Sequence, residues 1–176
     1  MSRLRLATGW LDGCSGCHMS LLDMDELLLE LAPLLELVYS PLVDRKEFPE
    51  HVDLTLLEGA VSNDDDLEKA KLVRQRSKLV VALGDCAVGT NVPGMRNTLE
   101  REAILQLIYH KLADHAPGIP TEQIPALLPQ SLPLHQVIRV DLFLPGCPPP
   151  AAAIVQALNA VLAQQELSEL PTLKFG

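Results

Sequence analysis

The chain has 176 residues, 48% hydrophobic and 21% charged, which suits one soluble domain whose core needs no disulfide staples. A formal charge of −9 argues against nucleic acid or an anionic membrane surface as partner, because phosphate binding needs a basic surface. No apolar run is long enough to cross a bilayer, and the N-terminus lacks a signal peptide's apolar stretch. The expectation is a cytoplasmic protein without membrane insertion, where clustered cysteines serve metals or redox chemistry more often than disulfides.

Residues 3–10 alternate apolar and polar side chains and predict a first strand, followed by a glycine-punctuated turn over 12–17. Leu21, Met24, Leu27, Leu28 and Leu31 then fall at helical spacing, predicting a helix over 20–31. Residues 35–39 and 52–57 read as the second and third strands, with Glu58-Gly59 closing the latter. Ser62 with Asp65 looks like a helix start. Acids crowd the first turns of that segment and Lys69, Lys71, Arg74 and Arg76 its end, which complements the helix dipole. Residues 78–83 are the clearest buried strand, and a helix is expected over 97–112 after the glycine-rich loop 84–94. The segment 113–133 holds prolines at 117, 120, 125, 129 and 133, which exclude a regular helix or an interior strand. It predicts a long Pro-rich surface excursion, one that packs on a partner because it is rich in Leu and Pro and poor in charge. A last strand over 136–144 and a last helix over 148–165 complete the order. No repeat or boundary divides residues 1–176. The order β-α-β-β-α-β-α-β-α predicts a single doubly wound parallel α/β sheet of flavodoxin-like arrangement.

Each of the four cysteines follows a predicted strand. Cys14 and Cys17 lie in Gly13-Cys14-Ser15-Gly16-Cys17, Cys86 in Gly84-Asp85-Cys86, and Cys147 in Gly146-Cys147-Pro148-Pro149. In an open parallel sheet these positions share the carboxyl edge, where ligands bind. Four thiolates are the complement that holds an iron–sulfur cluster. Other readings stay open on the residues alone. A structural zinc site uses the same ligands, although it usually pairs two C-x-x-C knuckles and only one exists here. A redox pair at Cys14 and Cys17 would leave Cys86 and Cys147 unexplained, and unrelated buried thiols need no common purpose.

Five blocks in order carry a family resemblance: Trp10-Leu11-Asp12-Gly13-Cys14-Ser15-Gly16-Cys17-His18-Met19-Ser20, Leu57-Glu58-Gly59-Ala60-Val61, Gly84-Asp85-Cys86-Ala87, Asn91-Val92-Pro93-Gly94-Met95-Arg96-Asn97 and Pro145-Gly146-Cys147-Pro148-Pro149. Together they resemble the small subunit of cytoplasmic NAD-reducing, bidirectional nickel–iron hydrogenases, related to the 20 kDa-type Fe–S subunit of respiratory NADH dehydrogenase. The resemblance implies that Cys14, Cys17, Cys86 and Cys147 ligate one proximal [4Fe–4S] cluster. It implies a hydrogenase large subunit with the NiFe centre as one partner, and diaphorase subunits carrying FMN and further Fe–S clusters as others. The chain itself would be a non-catalytic electron relay within a hydrogen:NAD⁺ oxidoreductase. Glu58 matches an acidic residue near the cluster and the large-subunit interface, with a proton route as its other role.

Departures narrow the assignment. The chain has no fifth cysteine, so a second cluster on cysteine ligands is not expected. The respiratory subunit has adjacent cysteines in its first motif, whereas Ser15 and Gly16 separate them here. A second FMN on this fold is an open cofactor, unsupported because the cysteine turn takes the phosphate-binding position. Small subunits of coenzyme F420-reducing hydrogenases and sulfhydrogenases share the fold and first motif and are the alternative.

Around the cysteines, His18 has two readings, a hydrogen-bond donor to the cluster or a polar residue at a helix start. Asp12 and Asp85 are expected to hold loop amides, Trp10 to pack, and His51, His110, His115 and His135 to lie on the surface or in loops. Met95 and Arg96 are candidates for contact with a partner.

Overall fold

The computed structural model describes residues 3–115 and 118–163. Five parallel strands form its central sheet: β1 (Leu4–Trp10), β2 (Leu35–Tyr39), β3 (Val52–Glu58), β5 (Ser77–Leu83) and β7 (Leu142–Leu144), in the spatial order β2-β1-β3-β5-β7. Counted within this sheet alone, the order is second, first, third, fourth, fifth, the flavodoxin-like winding. The remaining strands, β4 (Val61–Asn63) and β6 (Leu127–Leu132), pair antiparallel as a separate ribbon.

Strand periodicity divides the core into two layers. Leu6, Leu54, Leu56, Val81, Leu83, Leu142 and Leu144 face one side, under Leu21 of α1 (Gly16–Leu22), Leu31 of α2 (Glu26–Leu31) and Ile154, Ala157 and Leu158 of α6 (Ala151–Leu162). Ala7, Leu57, Val80 and Ala82 face the other side, under Ala70 and Val73 of α3 (Asp64–Arg76) and under Leu134 and Ile138. Because both faces are covered, β3 and β5 read as nearly continuous apolar runs. The few buried hydroxyls are paired: Thr55 with Ser77 at 2.7 Å, and Ser62 with Ser131 at 2.8 Å.

Four departures from the predicted elements have local causes. The predicted helix over 20–31 is two helices, because Asp25 takes a positive φ of 48° and the break lets Met24 turn into the core. The predicted helix over 97–112 begins later. Residues 93–98 form a 3₁₀ turn, Leu99 is extended, α5 (Arg101–Gln106) follows, and Leu107–Lys111 is a π-helical turn. The predicted strand over 136–144 pairs only from Asp141, whose amide donates to the Val80 carbonyl while its carboxylate accepts from the Val80 amide. Arg74 pairs with that carboxylate. Within the excursion, residues 127–132 form β6 on the chain itself, and a proline is tolerated there because a two-stranded ribbon has open edges. Residues 116–117 of the excursion, and the predicted last helix beyond residue 163, lie outside the described residues.

The start of α3 shifts by one residue from the expected position. Asn63, rather than Ser62, accepts from the Asp66 amide at 2.9 Å, and the Asp66 carboxylate accepts from the Ser62 amide at 3.1 Å. Ser62 sits in β4 and gives its hydroxyl proton to Ser131. Replacing Asn63 with Ala is expected to cost about 1 kcal/mol and lower Tm by about 2–4 °C. Asn63→Asp keeps the acceptor and should stay within about 1 °C of wild type in the same calorimetric scan.

Candidate metal centre

The four cysteines lie at the carboxyl ends of β1, β5 and β7, on one edge of the sheet. Two glycine turns set them there. Gly84 opens α4 (Gly84–Gly89) at φ 82°, and a Cβ on it would sit 2.2 Å from the Cys17 sulfur. Only a residue without a side chain lets the Cys86 turn close over Cys17. Gly146 has φ 133°, and a Cβ there would lie 2.6 Å from the Pro149 backbone. The two turns are also bonded to each other. The Asp85 amide donates to the Gly146 carbonyl at 2.9 Å, and the Gly146 amide donates to the Asp85 carboxylate at 2.7 Å. Asp85 thus holds a loop amide, as the sequence suggests. Ser20 adds a third tie, donating to the Pro149 carbonyl at 2.5 Å and fixing α1 against the Cys147 loop.

All four sulfurs are free thiols, Cys14 and Cys147 exposed and Cys17 and Cys86 half-buried, so the site opens at the surface. Burial pushes the Cys17 thiol up to about 12, and the charges of Glu58, Cys86, Cys14 and Cys147 push in the same direction. Burial likewise raises Cys86, against a lowering hydrogen bond from the Val92 amide, with Cys147, Cys14 and Glu58 adding to the rise. Each of these two half-buried sulfurs therefore feels other cysteines of the set and one carboxylate. Four mutually repelling thiolates beside a carboxylate are stable only around a group that brings positive charge. Among the described residues, no three His, Cys, Asp or Glu side chains converge tightly enough to share one ion. The donor chemistry and the glycine cradle fit an iron–sulfur cluster on these four cysteines.

Glu58 and His18 sit beneath this edge, each only 2% exposed. One Glu58 oxygen accepts from the His18 amide at 2.8 Å and meets the His18 ring at 2.5 Å. The far ring nitrogen lies 3.0 Å from the Thr8 hydroxyl, which donates to Ser40 at 2.8 Å. Both ring nitrogens of His18 are thus engaged by Glu58 and Thr8, which favours the reading of a polar residue at a helix start over that of a donor to the cluster. Glu58 is a buried floor of the site rather than an exposed carboxylate. Trp10 is 40% exposed and donates its ring N–H to the Gly13 carbonyl at 3.2 Å, staying on the cysteine turn itself. Asp12 joins Ala60 through backbone bonds of 3.0 and 2.7 Å, holding the cysteine turn on the turn after Glu58. His51, His110, His115 and His135 are exposed.

The loop after α4 adds two contacts that spacing did not reveal. The Val92 amide bonds Cys86, and the Asn91 side chain donates to the Cys147 sulfur at 3.3 Å. Val92, Met95 and Leu99 of the same segment stand exposed. Arg96 turns inward, donating to the Ser62 carbonyl at 3.0 Å.

The fold matches that of hydrogenase small-subunit-like chains. A chain of the Dm. baculatum [NiFeSe]-hydrogenase matches 93% of this chain and 63% of its own with TM-score 0.58 at 16% identity, a likeness of fold. A solved NAD⁺-reducing [NiFe]-hydrogenase in the H2-reduced state contains a chain that matches with TM-score 0.91 at 37% identity, covering 99% of this chain and 100% of that one. The family described as NADH ubiquinone oxidoreductase, 20 Kd subunit, matches residues 14–161, and the chain belongs to it. Among curated relatives, it is 42% identical over 91% of its length to a subunit of the vhu F420-non-reducing hydrogenase of Methanocaldococcus jannaschii. It is 37% identical over 89% of its length to the delta subunit of the NAD-reducing hydrogenase HoxS of Cupriavidus necator, covering 78% of that protein. The chain spans about half of the methanogen relatives' length, 56% in the first case. Among the described residues, no helix is long and apolar enough to cross a membrane.

Two substitutions test the architecture of the site. Gly84→Ala introduces a Cβ 2.2 Å from the Cys17 sulfur at a positive φ, and should cost about 2–3 kcal/mol and at least half of the bound iron. Iron retained at the wild-type level would show that the cradle is not needed. Glu58→Ala strips the buried His18 amide and ring of their shared acceptor, and should lower stability by about 3 kcal/mol in denaturant melts, with Glu58→Gln recovering more than half.

Proposed function

We propose that this chain is the electron-transfer small subunit of an NAD-reducing [NiFe] hydrogenase. In this reading Cys14, Cys17, Cys86 and Cys147 hold one proximal [4Fe–4S] cluster, between a large subunit's NiFe centre and diaphorase subunits that reduce NAD⁺. The observation that carries it is the set of four thiols on one sheet edge, cradled by Gly84 and open at Cys14 and Cys147. Full-length agreement in fold with a chain of a solved NAD⁺-reducing hydrogenase supports the same choice.

A bound cluster supplies reversible one-electron transfer. The chain's own residues do the rest. The cysteine turns fix where the cluster lies, and the Leu- and Val-rich layers below keep water from its inner side. Exposed Cys14 and Cys147 leave the outer side for a partner, and a large subunit docked over them would close it. Electrons pass between proteins most readily across a short, dry gap, which such a covered edge provides. In this reading the chain relays electrons between its partners and the catalytic centre belongs to the large subunit.

A second reading, the corresponding subunit of a hydrogenase that does not use NAD⁺, draws support from the 42% identity to the methanogen relative. Purification of the intact complex distinguishes the two. Co-purifying flavin-bearing NADH-oxidising subunits support the NAD-reducing assignment, and their absence favours the other. In that complex, Cys17→Ala should abolish H2-dependent NAD⁺ reduction while NADH oxidation with artificial acceptors persists. The anaerobically purified subunit should be brown with about four irons. Colourless protein with one zinc would replace the relay with a structural site.

A further inference from the structure

The segment from Thr90 to Leu99 is more constrained than a surface loop needs to be. Thr90 and Asn91 both have positive φ, 70° and 40°, a conformation that asparagine tolerates better than most residues. Gly94 packs so closely on this turn that a Cβ would fall 2.1 Å from the Thr90 hydroxyl oxygen. The far end is clamped. Asn97 donates to the Ser131 carbonyl at 2.8 Å and accepts from the Ser131 amide at 2.7 Å. Ser131, 2% exposed, also donates its hydroxyl to the Pro93 carbonyl at 3.1 Å. Strand β6 of the excursion is thereby bolted to the loop that meets the cysteines. At its tip the Asn91 amide nitrogen faces the Cys147 sulfur at 3.3 Å. A thiolate only accepts hydrogen bonds, so the N–H₂ end of the amide is the end that fits.

Resting on the cluster reading above, we propose that Asn91 donates a hydrogen bond to the Cys147 ligand that raises the reduction potential of the bound cluster, and that the Asn97–Ser131 clamp holds it in place. The physical reason is charge. Reduction adds an electron to the cluster and its sulfurs, and an N–H dipole aimed at a ligand sulfur favours the more negative state. Val92 gives Cys86 a similar bond from the backbone, whereas Asn91 supplies its bond from a side chain and is adjustable by ordinary substitution. The Pro-rich excursion gains a role within the chain, since β6 fixes the geometry of a ligand contact made elsewhere.

The test is a potentiometric titration of the anaerobically purified complex, followed by electron paramagnetic resonance, with iron counted in every sample. Asn91→Gly suits the positive φ and removes the side chain that carries the amide. It should keep its iron and shift the ratio of reduced to oxidised cluster about tenfold toward oxidised at fixed potential, equivalent to a midpoint ~59 mV lower. Asn91→Asp keeps the shape but replaces donors with an acceptor, and should move the midpoint further in the same direction. Asn97→Ala should lower the midpoint less, and in that background Asn91→Gly should bring it only to the Asn91→Gly value rather than to the sum of the two shifts, a coupling that a purely structural loop would not produce. Unchanged midpoints in both Asn91 variants with full iron would overturn this inference and leave the cluster assignment standing. A wild-type subunit without iron would overturn the assignment itself.

Discussion

Like charges gathered at one edge are the constraint around which this molecule is built. Four thiols and a buried carboxylate meet at the carboxyl ends of the strands, and as anions they would drive one another apart. Covalent and backbone-level features hold them instead. Gly84 gives up a side chain so that one turn closes over Cys17, and the reciprocal Asp85–Gly146 bonds lock two cysteine turns together. Ser20 ties α1 to the Cys147 loop, and the Asp12–Ala60 bridge seats the first cysteine turn on the end of β3. None of these bonds is strong singly, at roughly 1 kcal/mol net for a neutral pair. Placed on the ends of a sheet buried on both faces, they inherit its rigidity.

The same edge explains the one buried ionisable pair under the site. Carboxylates are rarely buried without partners, and Glu58 is satisfied by the amide and ring of His18. The pairing continues through Thr8 to Ser40, so the polar groups beneath the site form one connected chain from β3 through α1 to β1 and the end of β2. This fixes the ring of His18 and, one residue earlier in the chain, the orientation of Cys17. A half-satisfied version would be worse than an apolar floor, which ties the four residues together as a unit.

Much of this was legible in the sequence, for physical reasons that also mark where legibility stops. Strands β1, β3 and β5 announce themselves because both sheet faces bury apolar side chains, and the cysteines because each follows a strand and has glycine within two residues before it. Asp85 was readable as a loop anchor from its place beside Cys86. His18 was not, because its partners Thr8 and Glu58 lie ten and forty residues away and meet it only through strand register. The break at Asp25 was hidden because Leu21, Met24 and Leu31 keep helical spacing across it and bury all the same. Strand β6 was hidden by Pro129, which excludes an interior strand yet fits the ribbon with β4. Asn91 and Asn97 carry no periodic signal, since a loop's polar contacts are set by tertiary neighbours.

Taken across its width, the site is electrostatically lopsided. Its buried floor carries the Glu58 carboxylate, which opposes negative charge at Cys17, while its open rim carries the Val92 amide and the Asn91 side chain, which favour it at Cys86 and Cys147. The apolar residues Val92, Met95 and Leu99 stand exposed on the segment that carries those two donors. Covering the rim with another protein would remove water from around the donors and strengthen their effect, because a dipole acts further in a medium of low dielectric. The floor, already dry, would change little. Assembly and redox tuning would then be two consequences of one surface, acting through the cysteines that the sheet edge brings together.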